Sequence, residues 1–272
     1  MLAVERHRRI LDHVVAAGGA RVADLAERLD VTEETIRRDL RRLDSDGRLV
    51  RTHGGAVPVD GEAARDLPLH HRRGQAVLEK RAIAAAAAAT VEAGQTIALD
   101  ASSTALELAR ALPDVELTVV TPSPLICMEL AGRPRLRVVC IGGVLDDDAV
   151  AFTGPLAEAT LGRLHVDRCY FSCRGIDLRR GMTEATDRHA ALKAAMLEAA
   201  DRATLMADAS KFATASTVYF GTLADVHAVI VDAALAEATC DAIRERGLDL
   251  TLVSVGPGAS LSSSPLDAET AA

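Results

Sequence analysis

The sequence predicts an α/β protein in two parts: an N-terminal winged helix-turn-helix, and a C-terminal Rossmann-like α/β domain with a mostly parallel sheet. Three observations carry this. The first 57 residues hold three short amphipathic stretches followed by two β-prone runs around a tight reversal. From residue 75 onward, helical stretches alternate with short apolar runs. The length, 272 residues, suits two domains.

In the first part, residues 4–15 place Ile10, Leu11, Val14 and Val15 on one side of a helix, and Gly18-Gly19 ends it. Residues 22–29 repeat the spacing with Val22, Leu25, Ala26 and Leu29. Thr32 is placed to cap a third helix reaching about residue 43. Val31 before the cap and Ile36 at the fourth helical position form a hydrophobic staple. Ser45-Asp46-Gly47 turns the chain into Arg48-Leu49-Val50-Arg51, and His53-Gly54-Gly55 reverses it again. Helix, helix, turn, helix and two short strands is the winged helix-turn-helix plan.

Residues 58–74 mix Pro, Gly, His and charges without periodicity and read as a linker. Beyond it, strands are expected at 96–99, 117–120, 138–141, 169–172, 204–207, 228–231 and 250–255. Several are continuously apolar, as a parallel sheet covered on both faces requires. Helices are expected at 75–92, 103–112, 123–131, 187–200 and 234–246. The α/β domain therefore spans 75–256, and 257–272, rich in Ser, Ala and Pro, reads as a disordered tail.

Composition narrows the function. Apolar residues make up 49% and charged residues 26%, the mix of a soluble globular protein. The longest apolar stretch, 83–91, is far too short for a bilayer, and the N-terminus has no signal-peptide pattern. Five cysteines form no CxxC pair; Cys169 and Cys173 share one strand face and read as buried thiols. A reduced, cytoplasmic protein with no metal and no cofactor is expected. Four Phe, two Tyr and no Trp disfavour binding by aromatic stacking. Of 31 basic residues only Lys80, Lys193 and Lys211 are lysines, a hint that a compact ammonium is wanted there. Net charge is −8, yet residues 1–57 carry 11 Arg against 10 acids. An acidic protein with one comparatively basic end can present a small basic face to nucleic acid.

That face is the third helix. With Ile36, Leu40 and Leu43 turned to the core, the opposite side collects Glu34, Arg38 and Arg41, flanked by Thr35, Arg37 and Arg42. Four arginines within six residues can reach phosphates and guanine edges in a major groove. The competing reading is a solvated helix with Glu33–Arg37 and Glu34–Arg38 pairs. The helix-turn-helix context favours DNA, with Arg51 and His53 contributed by the wing.

The strings Thr32-Glu33-Glu34-Thr35-Ile36-Arg37-Arg38-Asp39-Leu40 and His53-Gly54-Gly55-Ala56 resemble the DNA-binding domain of DeoR-type bacterial transcription regulators. The resemblance implies that Thr32, Thr35, Arg37, Arg38 and Arg41 lie at operator DNA.

In the second part, Asp100-Ala101-Ser102-Ser103-Thr104 follows a strand and opens a helix, where hydroxyls and N–H groups converge at a positive helix end. Asp208-Ala209-Ser210-Lys211 also follows a strand, and Lys80 opens the long helix before the first strand. Together they favour an anionic ligand. These segments, with Thr121, Gly142-Gly143 and Gly175-Ile176-Asp177, resemble the DeoR-type sensor domain, related to ribose-5-phosphate isomerase and glucosamine-6-phosphate deaminase. The resemblance implies a phosphorylated sugar or related effector. Lys80, Ser103, Thr104 and Lys211 would hold phosphate, and Asp100 and Asp177 sugar hydroxyls. Thr121 and Gly142-Gly143 read equally as a cap and a strand-end turn. Ser102 stands where the family has glycine, and Ala105 where it has a hydroxyl, so Ser102 either narrows the loop or adds a hydroxyl of its own.

The expected function is a transcription regulator, a repressor of a carbohydrate or related catabolic operon, acting as a homo-oligomer (dimer or tetramer). The alternative is a sugar-phosphate isomerase or deaminase with an appended DNA-binding domain. Against it, Lys193 stands 18 residues before Lys211, where the isomerase would offer its catalytic glutamate; Glu184 and Asp187 are the nearby substitutes.

Overall fold

The computed structural model describes residues 3–45, 48–52, 54–58 and 69–255. In the N-terminal unit, α1 (Ala3–Ala17), α2 (Val22–Leu29) and α3 (Glu33–Ser45) close on one core built from Ile10, Val14, Leu25, Ile36, Leu40 and Leu43. Thr32 caps α3, accepting from Thr35 N–H at 3.3 Å, and Val31 packs on the same core as Ile36, so cap and staple both form. Beside the helices, β1 (Ala20–Arg21), β2 (Val50–Thr52) and β3 (Gly55–Val57) pair antiparallel in the order β1-β3-β2. β1, two residues long, is too short to leave a periodic signal. Gly55 is required where β1 and β3 meet, because an added Cβ would lie 2.0 Å from Ala20 O.

Asp39 fastens α1 to α3. Its carboxylate is buried, with Arg6 donating to both oxygens and His7 Nε2 lying 2.9 Å from Oδ1. Burial would raise its pKa, but the bonds from Arg6 and His7 hold it below the ordinary 3.8.

The second part begins with α5 (Val77–Ala88), β4 (Thr96–Leu99), α6 (Ser103–Ala111), β5 (Leu117–Thr121), α7 (Pro124–Leu130) and β6 (Leu136–Cys140). Then come β7 (Val144–Asp146), β8 (Ala151–Thr153), α8 (Pro155–Leu161), β9 (Val166–Phe171), β10 (Gly175–Asp177), β11 (Gly181–Glu184) and α9 (Asp187–Glu198). The last elements are β12 (Ala200–Met206), β13 (Val218–Gly221), β14 (Ala228–Asp232), α10 (Glu237–Arg244) and β15 (Asp249–Val253). Seven strands form one parallel sheet in the order β15-β14-β12-β9-β4-β5-β6, and they are the seven apolar runs of the sequence. Alternate residues feed separate cores: Ile97, Leu99 and Tyr170 pack under α5, α6 and α7, while Ala98, Cys169 and Phe171 pack under α8, α9 and α10. Cys169 and Cys173 lie in the second of these cores, and burial pushes both thiols up, Cys173 to about 12.

From β4 the chain winds outward through β5 to β6; from β9 it winds the other way through β12 and β14 to β15. The order reverses between β4 and β9, so the loops leaving their carboxyl ends diverge and open a crevice. Two antiparallel additions stand outside this sheet: the β7–β8 hairpin and the sheet β10-β11-β13. Their strands of three or four residues, punctuated by glycine and charge, gave no apolar run to read.

The interval expected to be a linker ends in a helix, α4 (Leu69–Arg73). A single turn with one buried leucine has no period for a sequence to display. Leu69 is 2% exposed, its N–H donates to Asp148 O at 2.7 Å, and α4 lies against both α3 and α6. The rest of that interval from residue 59 to 68, with Asp46, Gly47, His53 and the tail 257–272, falls outside the described residues.

Replacing Asp39 by Ala leaves Arg6 and His7 without their buried anion and is expected to destabilise the N-terminal unit by about 3 kcal/mol. Because the folded-state pKa of Asp39 is depressed, its contribution is complete above about pH 4 and is lost as pH falls through the folded value. Unfolding midpoints of the wild type and Asp39→Ala, compared at pH 7 and pH 3, should converge at the lower pH.

Candidate effector site and DNA-reading face

The exposed side of α3 carries Thr32, Glu34, Thr35, Arg37, Arg38, Arg41 and Arg42 around the first three turns. Of the two pairs that would make it a merely solvated helix, Glu33–Arg37 forms at 2.5 Å. Glu34 takes Arg41 instead, at 3.0 Å, leaving Arg38 with no ion pair or hydrogen bond among the described residues. Arg51 is exposed on β2, fixed by its N–H to Asp44 Oδ1 at 2.8 Å. Arg21, Arg37 and Arg51 line one groove of about 200 Å³ between the start of α2, α3 and the wing. Arg21 was missed in the sequence; only its pairing with Gly55 across β1 and β3 brings it there.

At the sheet's switch point Asp100, the residue after β4, is 1% exposed and takes four bonds. Oδ1 accepts from Ser102 N at 3.1 Å and Ser102 Oγ at 2.6 Å. Oδ2 accepts from Ser172 N at 3.1 Å, just past β9, and from Lys193 Nζ at 2.9 Å. Lys193, on α9, also donates to Ser172 O and to Glu184 Oε1 at 2.5 Å, and Arg174 Nε stands 3.7 Å from Glu184 Oε2. Burial acts to lower the Lys193 pKa, but Asp100 and Glu184 outweigh it and hold it above the ordinary lysine range. Glu184, raised by burial, is held below the carboxylate range by Lys193 and Arg174. His189 faces the same cavity, and its Nε2 is buried with no hydrogen-bond partner. Burial lowers its pKa, so the ring is neutral near pH 7.

The Ser102 hydroxyl is engaged within the loop. Its Oγ donates to Asp100 and accepts from Ala105 N at 3.0 Å, capping α6. Ser103 and Thr104, in the first turn of α6, make no hydrogen bond through their hydroxyls among the described residues. Lys80 is 5% exposed on α5, and its Nζ donates to Arg72 O and Gln75 O, each at 2.6 Å. Burial, with Lys211 and Arg72 nearby, pushes it down to about 8. Asp208 presents Lys211 by closing a turn, its Oδ1 accepting from Ser210 N at 3.2 Å.

Other expected residues have local partners. Thr121 Oγ1 accepts from Ser123 N at 3.2 Å, at the carboxyl end of β5. Gly143 lies where a Cβ would meet Thr153 O at 2.6 Å, so it lets β7 and β8 close, and Gly142 adjoins it. Asp177 Oδ1 accepts from the N–H groups of Arg179 and Arg180 at 2.8 and 3.0 Å, turning β10 into β11. None of these four lines the cavity around Asp100. Arg72, Arg174, Glu184, His189 and Lys193 surround the site without having been named for it. Lys193 was marked by its scarcity and by its place 18 residues before Lys211, and Glu184 was named only as a substitute base; Arg72, Arg174 and His189 carried no sequence signal. All three lysines of the chain thus stand on this crevice or its rim.

Lys193→Met leaves Asp100 and Glu184 facing each other without a cation. It is expected to destabilise the fold by about 3–5 kcal/mol, a fall in Tm on the order of 10 °C. A calorimetric scan with an unchanged Tm would mean that the buried cluster does not hold the crevice.

The comparisons agree with this architecture. Residues 6–61 match the family model of the DeoR-like helix-turn-helix domain, and residues 75–233 that of the DeoR C-terminal sensor domain. The chain is 39% identical over 253 residues to YulB, an HTH-type transcriptional regulator of Bacillus subtilis, covering 93% of this chain and 98% of that one. It is 38% identical over 232 residues to the L-fucose operon activator of Haemophilus influenzae, covering 85% and 92%. To the transcriptional repressor AccR of Agrobacterium fabrum it is 34% identical over 213 residues, covering 78% and 82%. Among solved structures, ribose 5-phosphate isomerase A of Methanocaldococcus jannaschii aligns at a TM-score of 0.37 and 16% identity, over 49% of this chain and 53% of that one. No helix among the described residues is long and apolar enough to cross a membrane. The two family models span the winged helix-turn-helix and most of the α/β domain, and these relatives share 34–39% of their residues with the chain over most of its length: the chain belongs to the DeoR family of transcription regulators.

Proposed function

We propose that the chain is a cytoplasmic repressor of a carbohydrate catabolic operon, released from its operator when a phosphorylated sugar binds at the carboxyl ends of β4, β9 and β12. The observation that carries the reading is the pair of ammonium groups, Lys80 and Lys211, held close enough to repel. Lys80 is on α5, which packs against α6, and the first turn of α6 carries Ser103 and Thr104, whose hydroxyls make no hydrogen bond among the described residues. Like charges that repel favour an anion between them, and a helix N-terminus favours one as well. Asp100, Glu184 and His189, whose Nε2 has no hydrogen bond and lies 3.6 Å from Asp146 Oδ2, supply polar contacts suited to sugar hydroxyls. On the DNA side, Arg38 is the free guanidinium of α3, with Arg21, Arg37 and Arg51 on the adjoining groove. Two subunits would set their α3 helices in successive major grooves about 34–36 Å apart.

The isomerase alternative is disfavoured by the same cluster. Proton abstraction next to a carbonyl needs an available base. Lys193 is held as an ammonium, and Glu184 is paired to it and to Arg174.

The reading is tested by thermal melts of the full chain against sugar phosphates and their unphosphorylated parents. A phosphate present at 100 times its Kd should stabilise by about 2.7 kcal/mol, and its parent sugar should not. Lys211→Ala should abolish that shift and leave operator binding intact. Arg38→Ala should weaken operator binding by about 1–3 kcal/mol and leave the shift intact. Turnover of an aldose phosphate, or melts indifferent to every phosphate, would overturn the reading.

Effector affinity should also depend on pH. Lys80 sits near 8 because burial, Lys211 and Arg72 outweigh the opposing Asp208 and Glu107. A bound phosphate favours the ammonium, so below pH 8 the proton is already in place, and above it binding must take one up. Affinity measured by titration calorimetry should be flat from pH 6.5 to 7.5 and fall by up to about tenfold per unit above 8. A flat profile to pH 9.5 would remove Lys80 from the phosphate.

A further inference from the structure

The centre of the site is too small for the ligand that its groups suit. The cavity bounded by Arg72, Asp100, Glu184, His189 and Lys193 measures about 30 Å³. That is room for a water or two, whereas pockets that enclose a small organic ligand run to about 300 Å³ or more. Besides Ala149 and Ala151 at the β7–β8 hairpin and Glu184 on β11, the wall outside the parallel sheet and its helices is α4, which places Arg72 among the charged groups of the crevice. Burial lowers the Arg72 pKa to about 10, and Asp100 and Glu184 act on it from the crevice.

α4, one turn long, is held by the Arg72 side chain buried near Asp100 and Glu184 and by a small set of ties at its two ends. Leu69 is buried, and its N–H donates to Asp148 O. At the other end Arg72 O and, two residues past the helix, Gln75 O accept from Lys80 Nζ. The ammonium best placed for a phosphate is therefore already bonded to the carbonyls that end α4. A phosphate oxygen bears charge and a carbonyl does not, so the N⁺–H···O⁻ bond is the stronger.

We infer that α4 is a plug: docked α4 and a bound sugar phosphate exclude one another, and Lys80 is the switch, passing from the carbonyls of Arg72 and Gln75 to the phosphate. This rests on the effector reading above and adds how the signal leaves the site. α4 lies against α3, the DNA-reading helix, and it follows the N-terminal unit in the chain. Undocking it removes a contact on α3 without any change in the sheet.

The test uses the full chain and Leu69→Ala, which loosens α4 and touches none of the cavity's charged groups. Both are titrated by calorimetry with ribose 5-phosphate, fructose 1-phosphate, fructose 6-phosphate and inorganic phosphate. If undocking precedes binding, the apparent Kd is the intrinsic value divided by the undocked fraction, so Leu69→Ala should bind the same probe at least tenfold tighter. In the wild type, hydrogen exchange at the Leu69 amide should accelerate when that probe is added, a readout that does not depend on the variant folding. Equal or weaker affinity in Leu69→Ala, or a Leu69 amide slowed by ligand, overturns the plug and leaves the effector site standing. Binding of no probe by either protein overturns the effector reading, and the plug falls with it.

Discussion

The buried carboxylate of Asp100 is the constraint on which the crevice depends. It ties the loop after β4 to the loop after β9 through Ser172 N, and to α9 through Lys193. Lys193 in turn draws in Glu184 from β11. These elements leave the sheet in different directions, and apolar packing alone would not fix the distance between them, because it has no preferred bond geometry. A charge network does, since each partner removed leaves an ion buried without compensation. Ser102 belongs to the same frame: one hydroxyl caps α6 and buttresses Asp100. A glycine there would free the loop to approach a ligand; serine gives the aspartate a fixed direction.

The sequence displayed what is periodic and hid what is not. The seven runs expected as strands became the seven parallel strands, and central ones such as β4 and β14 are apolar because both their faces are covered. The cap at Thr32 and the staple of Val31 with Ile36 were legible because they depend on residues three to five apart. The β7–β8 hairpin, the β10-β11-β13 sheet and α4 were not, since each is short and defined by partners far away in the chain. The site divides the same way. Lys80, Asp100 and Lys211 stood at strand or helix ends, where a pattern could point to them. Arg72, Arg174, Glu184 and His189 reach the crevice through long-range packing. Lys193 was noticed as a lysine in an arginine-rich chain and as a poor base, although its place in the buried frame was not foreseen.

That frame also separates sensing from turnover. A catalytic base must be able to change its charge near neutral pH. Here Glu184 is held below its ordinary value by Lys193 and Arg174, and Lys193 is held above its own by Asp100 and Glu184, so this pair keeps its charges across the physiological range. His189 is by contrast a neutral imidazole with an unfilled hydrogen bond. Fixed charges suit recognition: a ligand meets the same donors and acceptors every time it binds.

A rigid frame that merely bound ligand would not alter a helix that reads DNA. Ligand shifts an equilibrium only by its different affinity for two states, so some element must differ between them. The sheet is an unpromising candidate, with close-packed cores on both faces and a charged lock at its centre. α4 is a promising one. It is a single turn, and two of its ties are hydrogen bonds from one ammonium to its last carbonyls and to Gln75 O. Lys80 is itself unsettled by burial and by the neighbouring cations Lys211 and Arg72. A phosphate relieves that repulsion, and the relief is available only in the state where Lys80 has let go of α4. The differential affinity that linkage demands is therefore contained in one side chain, and the element it releases is the one that also touches α3.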